Sequence, residues 1–270
     1  MDKTFDVRSS DAWLHENRHL RMDANHASFP DVRRKFHLAR YEFARTYCAG
    51  KRVLDGACGT GYGSALVGEV ASSVIGIDCD KGSVDYANAK YGNDKVSFCR
   101  SFVEMTPFEE SSFDVVLSFE TVEHTLCPAA HMMEIVRLLN PQHGIAVLSI
   151  PNKWGLTDHH FLDFDFPMLK ALTDRYFSSV DFFYQNPDTH PQFPGIGPFT
   201  PSTLCPAQCV VAVCGSPHKE QVVEDRYNFI MNEVYDIAFS RHAEYLTLAY
   251  KQNTGLLKRL KYKLQSLVTR

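Results

Sequence analysis

Two stretches of this sequence hold residue types able to do chemistry together. The first is Glu120-Thr121-Val122-Glu123-His124. Its carboxylates and imidazole fall at i, i+3 and i+4, so one helical turn would present all three on one face. The second is Asp158-His159-His160-Phe161-Leu162-Asp163-Phe164, which adds further imidazoles and acids. Carboxylate oxygens beside imidazole nitrogen suit a divalent metal, and Glu120, Glu123, His124 and His160 are the candidate ligands. The same residues suit chemistry without a metal. A neutral imidazole accepts a proton near pH 7, so His124 and His160 are candidate bases, with Glu120 as a third candidate catalytic group. His131 and His143 read as surface residues on a helix and a turn.

A third stretch, Val53-Leu54-Asp55-Gly56-Ala57-Cys58-Gly59-Thr60-Gly61-Tyr62-Gly63, follows a strand and opens a helix. Glycines there let the backbone pass close to a ligand that faces the helix N-terminus. A phosphate-cradling loop needs Lys-Ser/Thr after its last glycine, and none is present. The dinucleotide fingerprint, counted from Gly59 and Gly61, requires glycine where Ser64 stands. What fits is Asp-x-x-x-Gly-x-Gly, with Asp55, Gly59 and Gly61. Asp78 ends the next strand, where a doubly wound sheet places a carboxylate on a ribose diol.

The elements that must hold these residues alternate. Strands are expected at 52–55, 73–77, 96–99, 113–118, 144–150, 179–183 and 209–213. Helices are expected at 62–70, 82–90, 128–139 and 167–175. Strands spaced by helices predict an α/β, doubly wound, mostly parallel seven-stranded sheet covered on both faces. Residues 1–50 read as a polar leader and a cap helix over 31–48. Residues 51–215 form the central domain, with a proline-rich loop at 185–208. Residues 216–270 read as a helical extension, of which 256–270 is basic and amphipathic, suited to weak contact with an anionic membrane face.

Composition narrows the function classes. The chain has 270 residues, a formal net charge of −4 and 44% hydrophobic residues. That excludes a disordered tail and gives no basic footprint for DNA or RNA. No apolar run approaches the length of a membrane span, and the first residues lack a signal-peptide pattern. Eight scattered cysteines fit a reducing, cytoplasmic setting. Cys205, Cys209 and Cys214 read as small buried residues rather than zinc ligands.

The turn from Val53 to Gly61 resembles that of the class I S-adenosylmethionine-dependent methyltransferases, and the resemblance covers about residues 35–183. It implies a Rossmann-like fold, S-adenosylmethionine as cofactor, and methyl transfer. It implies cofactor contacts from Asp55, Gly56, Ala57, Gly59, Gly61, Asp78 and Phe119, with Asp55 toward the ammonium, directly or through water. Phe102 stands where the family often has an Asp for the adenine amine, so stacking by Phe102 and a backbone contact from Val103 are expected instead. The helix His37-Leu38-Ala39-Arg40-Tyr41-Glu42-Phe43 is similar to that of relatives acting on glycans, with Arg40 toward the cofactor carboxylate. Glu-x-x-Glu-His and His160-x-x-Asp163-Phe164 resemble segments of small-RNA 2′-O-methyltransferases, and ubiquinone-type O-methyltransferases share the former. The implied acceptor is a small molecule or glycan, at oxygen. The alternatives are an RNA 2′-hydroxyl, or a cofactor-binding scaffold without turnover.

Overall fold

A computed structural model describes residues 12–16, 22–26, 29–156, 160, 162–185, 196–198, 208–222 and 225. Near-continuous apolar runs make the strands β1 (Arg52–Gly56), β2 (Ser73–Asp78), β3 (Val96–Arg100), β4 (Val115–Phe119) and β5 (Ile145–Pro151). These five pair in parallel in the order β3-β2-β1-β4-β5. Beyond β5, the strands β6 (Phe177–Gln185), β7 (Ile196–Pro198) and β8 (Cys209–Pro217) continue the sheet in the order β8-β6-β7, through antiparallel pairings.

The sheet therefore has eight strands rather than the expected seven. The extra one, β7, is three residues long and lies within the stretch read as a proline-rich loop. Ile196-Gly197-Pro198 carries no strand signal of its own. At a sheet edge, however, a proline's missing N–H costs no ladder bond.

Helices α1 (Asp31–Cys48), α2 (Tyr62–Gly68), α3 (Lys81–Tyr91), α4 (Pro128–Leu138) and α5 (Phe166–Tyr176) cover the two faces. Asp80 caps α3 by accepting from the Ser83 N–H at 2.8 Å, and Asp165 caps α5 by accepting from Met168 at 3.0 Å. The period-2 alternation of the strands sorts the core. Val53, Val115, Leu117, Val147, Val211 and Val213 pack with α1, α2 and α3. Leu54, Val116, Leu148, Val210 and Ala212 pack with α4 and α5 on the other side.

Two further expectations change. Parts of the presumed polar leader are packed: Leu14 and Ala24 are buried, and so is Asp23, which accepts from the Tyr86 and Tyr91 hydroxyls and pairs with Lys90 at 2.9 Å. A polar-looking segment earns burial there because α3 supplies its partners. His131 is also buried, on the inner face of α4. Its Nδ1–H donates to the Val103 carbonyl at 3.2 Å, and its Nε2 accepts from the Ser118 hydroxyl at 2.9 Å. His143 is half exposed beside Asp114, as expected. The two helices expected after residue 220, and the membrane-facing stretch 256–270, lie outside the described residues apart from 220–222 and 225. No helix among the described residues is long and apolar enough to cross a membrane.

Candidate active site

In the strand order β2-β1-β4, connections leave β1 in opposite directions. The C-terminal ends of β1 and β4 therefore open a crevice, the usual ligand position in such sheets. The glycine turn emerges from β1 and the Glu120–His124 segment from β4. The turn depends on unusual backbone conformations: Ala57, Gly59 and Gly61 have φ of 59°, 55° and 83°. A Cβ on Gly61 would lie 2.7 Å from Ala87 and the Phe98 ring, whereas one on Gly59 would meet nothing within 4 Å. Gly61 thus lets the turn pack on α3, and Gly59 leaves room on its open side.

Two carboxylates brace the turn. Asp55 is fully buried and accepts from the Ser64 hydroxyl at 2.6 Å and the Tyr41 hydroxyl at 3.4 Å. Burial pushes its carboxyl up to about 7, against the opposing pull of those hydrogen bonds. Asp78 accepts from the backbone N–H of Gly59 at 3.0 Å and of Asp80 at 2.8 Å. Asp78 thereby ties the end of β2 to the turn it would complete.

Helix α1 forms the wall facing the turn. The Tyr41 ring occupies the space a Cβ on Gly63 would fill, at 2.0 Å. It meets Tyr62 and Phe119 edge-on, with centroids 5.7 and 5.0 Å apart. Between wall and turn lies a cleft of about 480 Å³. Of the expected site residues, Arg40, Ala57, Gly59, Phe119, Glu120, Glu123, His124 and His160 line it. Asp55, Gly56, Gly61, Asp78, Phe102 and Val103 do not. Gly56 lies under the Leu117 carbonyl, and Phe102 is 63% exposed in the tight 102–105 bridge.

Arg40 is only 2% exposed. Its guanidinium donates to Gln185 Oε1 at 3.2 Å and to His37 Nδ1 at 3.2 Å, lies 3.5 Å from Glu120 Oε1, and sits 4.8 Å above the Phe36 ring. Glu120 has φ 49° and also accepts from the Ser149 hydroxyl at 2.8 Å. A 3₁₀ turn over Val122–His124 follows. The expected α-helical face carrying Glu120, Glu123 and His124 does not form. Glu120 turns to Arg40, while the other two turn to His160.

Glu123, His124 and His160 bring one ligand atom each within 4.8 Å of one another. Glu123 is fully buried, and neither carboxylate oxygen has a hydrogen-bond partner. Burial, with the neighbouring Glu120 charge, holds its carboxyl well above the usual range. His124 Nε2 lies 3.9 Å from Glu123 Oε1, and the His124 and His160 rings meet edge-on at 4.9 Å. The donor set, one orphaned carboxylate and two imidazoles, fits a divalent metal of intermediate softness.

Several cleft residues escaped the sequence reading: Met22, Arg33, Phe36, His37, Thr60, Tyr62 and Trp154. Of these, only Arg33 and His37 left a signal, their i, i+4 spacing on the helix that carries the expected Arg40 at i+7. Cys209 and Cys214 are buried free thiols, five residues apart and so on opposite faces of β8. Cys205 lies outside the described residues.

Residues 54–148 match the model of the family described as "Methyltransferase domain". The chain is 35% identical over 117 residues to a protein of Mycolicibacterium smegmatis described as a probable S-adenosylmethionine-dependent methyltransferase, covering 43% of this chain and 44% of that one. It is 36% identical over 106 residues to the tRNA U34 carboxymethyltransferase of Methylococcus capsulatus, covering 38% of this chain and 33% of that one. The chain thus spans less than half the length of these curated relatives. A solved SAM-dependent methyltransferase from Thermotoga maritima superposes with a TM-score of 0.56 at 15% identity, covering 77% of this chain and 95% of that one. The fold is the Rossmann-like α/β fold of that enzyme, and residues 54–148 are similar to methyltransferase domains, among them that of the relative described as a probable S-adenosylmethionine-dependent methyltransferase.

Proposed function

We propose that this protein transfers the methyl group of S-adenosylmethionine to a hydroxyl of a small-molecule or glycan acceptor. The carrying observation is the buried, unpartnered Glu123 carboxylate beside His124 and His160, in the cleft that opens at the glycine turn. The sulfonium methyl is already electrophilic. The protein's task is to hold the acceptor in line, strip its water and take the proton an alcohol must lose. An amine would need less of this apparatus.

The turn at Ala57–Thr60 and the Asp78 carboxylate would hold the cofactor. Trp154, 42% exposed at the cleft, offers a flat face to an acceptor ring. Without a metal, His124 or His160 would accept the hydroxyl proton. Glu123, His124 and His160 would hold a divalent metal, whose chemistry would be to lower the pKa of the acceptor hydroxyl. All seven described cysteines are free thiols, which supports a reducing, cytoplasmic setting. The tRNA-named relative favours an RNA acceptor as the second reading. The net charge of −4 weighs against it.

The test is calorimetry with S-adenosylhomocysteine, followed by methylation assays over alcohol, glycan and RNA panels. Binding weakened about tenfold or more by Asp78→Ala, equivalent to ~1.4 kcal/mol, is the expected result. Methylation of an alcohol or sugar hydroxyl, lost in Glu123→Gln with cofactor binding retained, completes it. Absence of binding by the native protein overturns the proposal. Chelation that stops turnover but spares binding would assign the metal.

A further inference from the structure

Helix α1 turns three basic or imidazole residues toward the cleft. Arg33, His37 and Arg40 fall at i, i+4 and i+7, within one narrow face at 3.6 residues per turn, and all three line the cleft. Their situations differ. Arg40, deep in the wall, is neutralised by Glu120 and held by Gln185. Arg33, in the first turn, is exposed and has no acidic partner among the described residues.

His37 sits between them. Arg40 and the Tyr62 hydroxyl both approach its Nδ1, at 3.2 and 3.4 Å. A guanidinium can only donate, so Nδ1 accepts, and the proton of the neutral ring resides on Nε2. His37 therefore presents a ring N–H donor, and its backbone position lies one helical turn, about 6 Å of rise, from that of Arg33.

The acids lining the cleft do not offset Arg33. Glu120 is committed to Arg40, and Glu123 lies buried with His124. We infer that Arg33 and His37 form an anion subsite that receives a carboxylate or phosphate, with Arg33 supplying the charge and His37 a directed N–H. A planar guanidinium can grip either group through two parallel hydrogen bonds. Two sources could supply the anion within the methyltransferase reading, on which this inference rests. One is the amino-acid carboxylate of the cofactor, and the other is an acidic group on the acceptor. Arg40, the residue expected to take the cofactor carboxylate, has its charge already answered by Glu120.

The test compares wild type, Arg33→Gln and Arg33→Lys by calorimetry with S-adenosylhomocysteine and with 5′-methylthioadenosine, which lacks the amino-acid end. Inorganic phosphate is then titrated into protein saturated with S-adenosylhomocysteine. Arg33 has no ion-pair partner among the described residues to lose on substitution, and matched melting curves confirm that each variant folds. If the cofactor carboxylate occupies the subsite, Arg33→Gln weakens S-adenosylhomocysteine at least tenfold and leaves 5′-methylthioadenosine unchanged. Arg33→Lys then falls between. If an acceptor anion occupies it, cofactor affinity is unchanged and phosphate binding to the saturated protein is lost in Arg33→Gln. Unchanged binding of all three probes in Arg33→Gln overturns the subsite. If the wild type binds neither nucleoside, the methyltransferase reading fails instead. Phosphate binding that depends on Arg33 would still uphold the subsite.

Discussion

The Arg40 guanidinium lies 3.5 Å from the Glu120 carboxylate, and this pair joins the wall of the cleft to the end of β4. Arg40 is fully buried, and Glu120 holds a positive φ of 49°. Removing one partner of a buried pair leaves the other charge without compensation, which is far costlier than the pair is worth. Glu120→Ala is expected to lower unfolding free energy by about 3 kcal/mol in urea titrations. Arg40→Met should be milder, because it preserves much of the packing on Phe36 and leaves Glu120 partly solvated. Equal stability of Glu120→Ala and wild type would show that the pair is not closed in solution.

Asp23 fastens the segment 22–26 to α3 through Tyr86, Tyr91 and Lys90. The same segment reaches the glycine turn, since the Thr60 hydroxyl donates to the Met22 carbonyl at 2.7 Å. Asp23→Ala would strand a partly buried ammonium and two hydroxyls. A loss of about 3 kcal/mol is expected, together with faster amide exchange across 22–26. Weaker binding of S-adenosylhomocysteine should accompany it, because Met22 and Thr60 both line the cleft.

Two buried groups give opposed pH dependences. Asp55 is raised to about 7 by burial, so the native state holds its proton where the unfolded chain has lost it. Its contribution is complete below about pH 4 and is lost as pH rises through about 7. His131 is lowered to about 4 by burial, with the Val103 carbonyl pulling the other way. Its contribution is present above about pH 6.5 and is lost as pH falls toward 4. Stability curves measured from pH 4 to 8 should separate them. Asp55→Asn removes the decline toward neutral pH, whereas His131→Gln removes the decline toward acid. If Asp55→Asn has the same pH slope as wild type between 4 and 7, Asp55 is ionised in the native protein.

Much of the fold was legible because its signals are local. The strand runs, the bounds of α1 at 31 and 48, and the glycine turn follow from residue type over a few positions, where backbone sterics and burial periodicity act directly. β7 was not legible, since Ile196-Gly197-Pro198 is a strand only because the edge of β6 is there to pair with it.

In the site, sequence alone fixed which chemistry was available: a glycine turn, a strand-end carboxylate, and a pool of acids and imidazoles. Tertiary structure decided how that pool divides. Glu120 and Glu123 are three residues apart, yet one faces Arg40 and the other His124 and His160. A positive φ at Glu120 and a 3₁₀ rather than α turn separate them. Arg40 likewise takes Gln185 and Cys209 as partners, 145 and 169 residues away. Charge pairing depends on distance in space and on what water is excluded. Both are set by how the sheet brings β6, β8 and α1 together, which residue spacing along the chain does not contain.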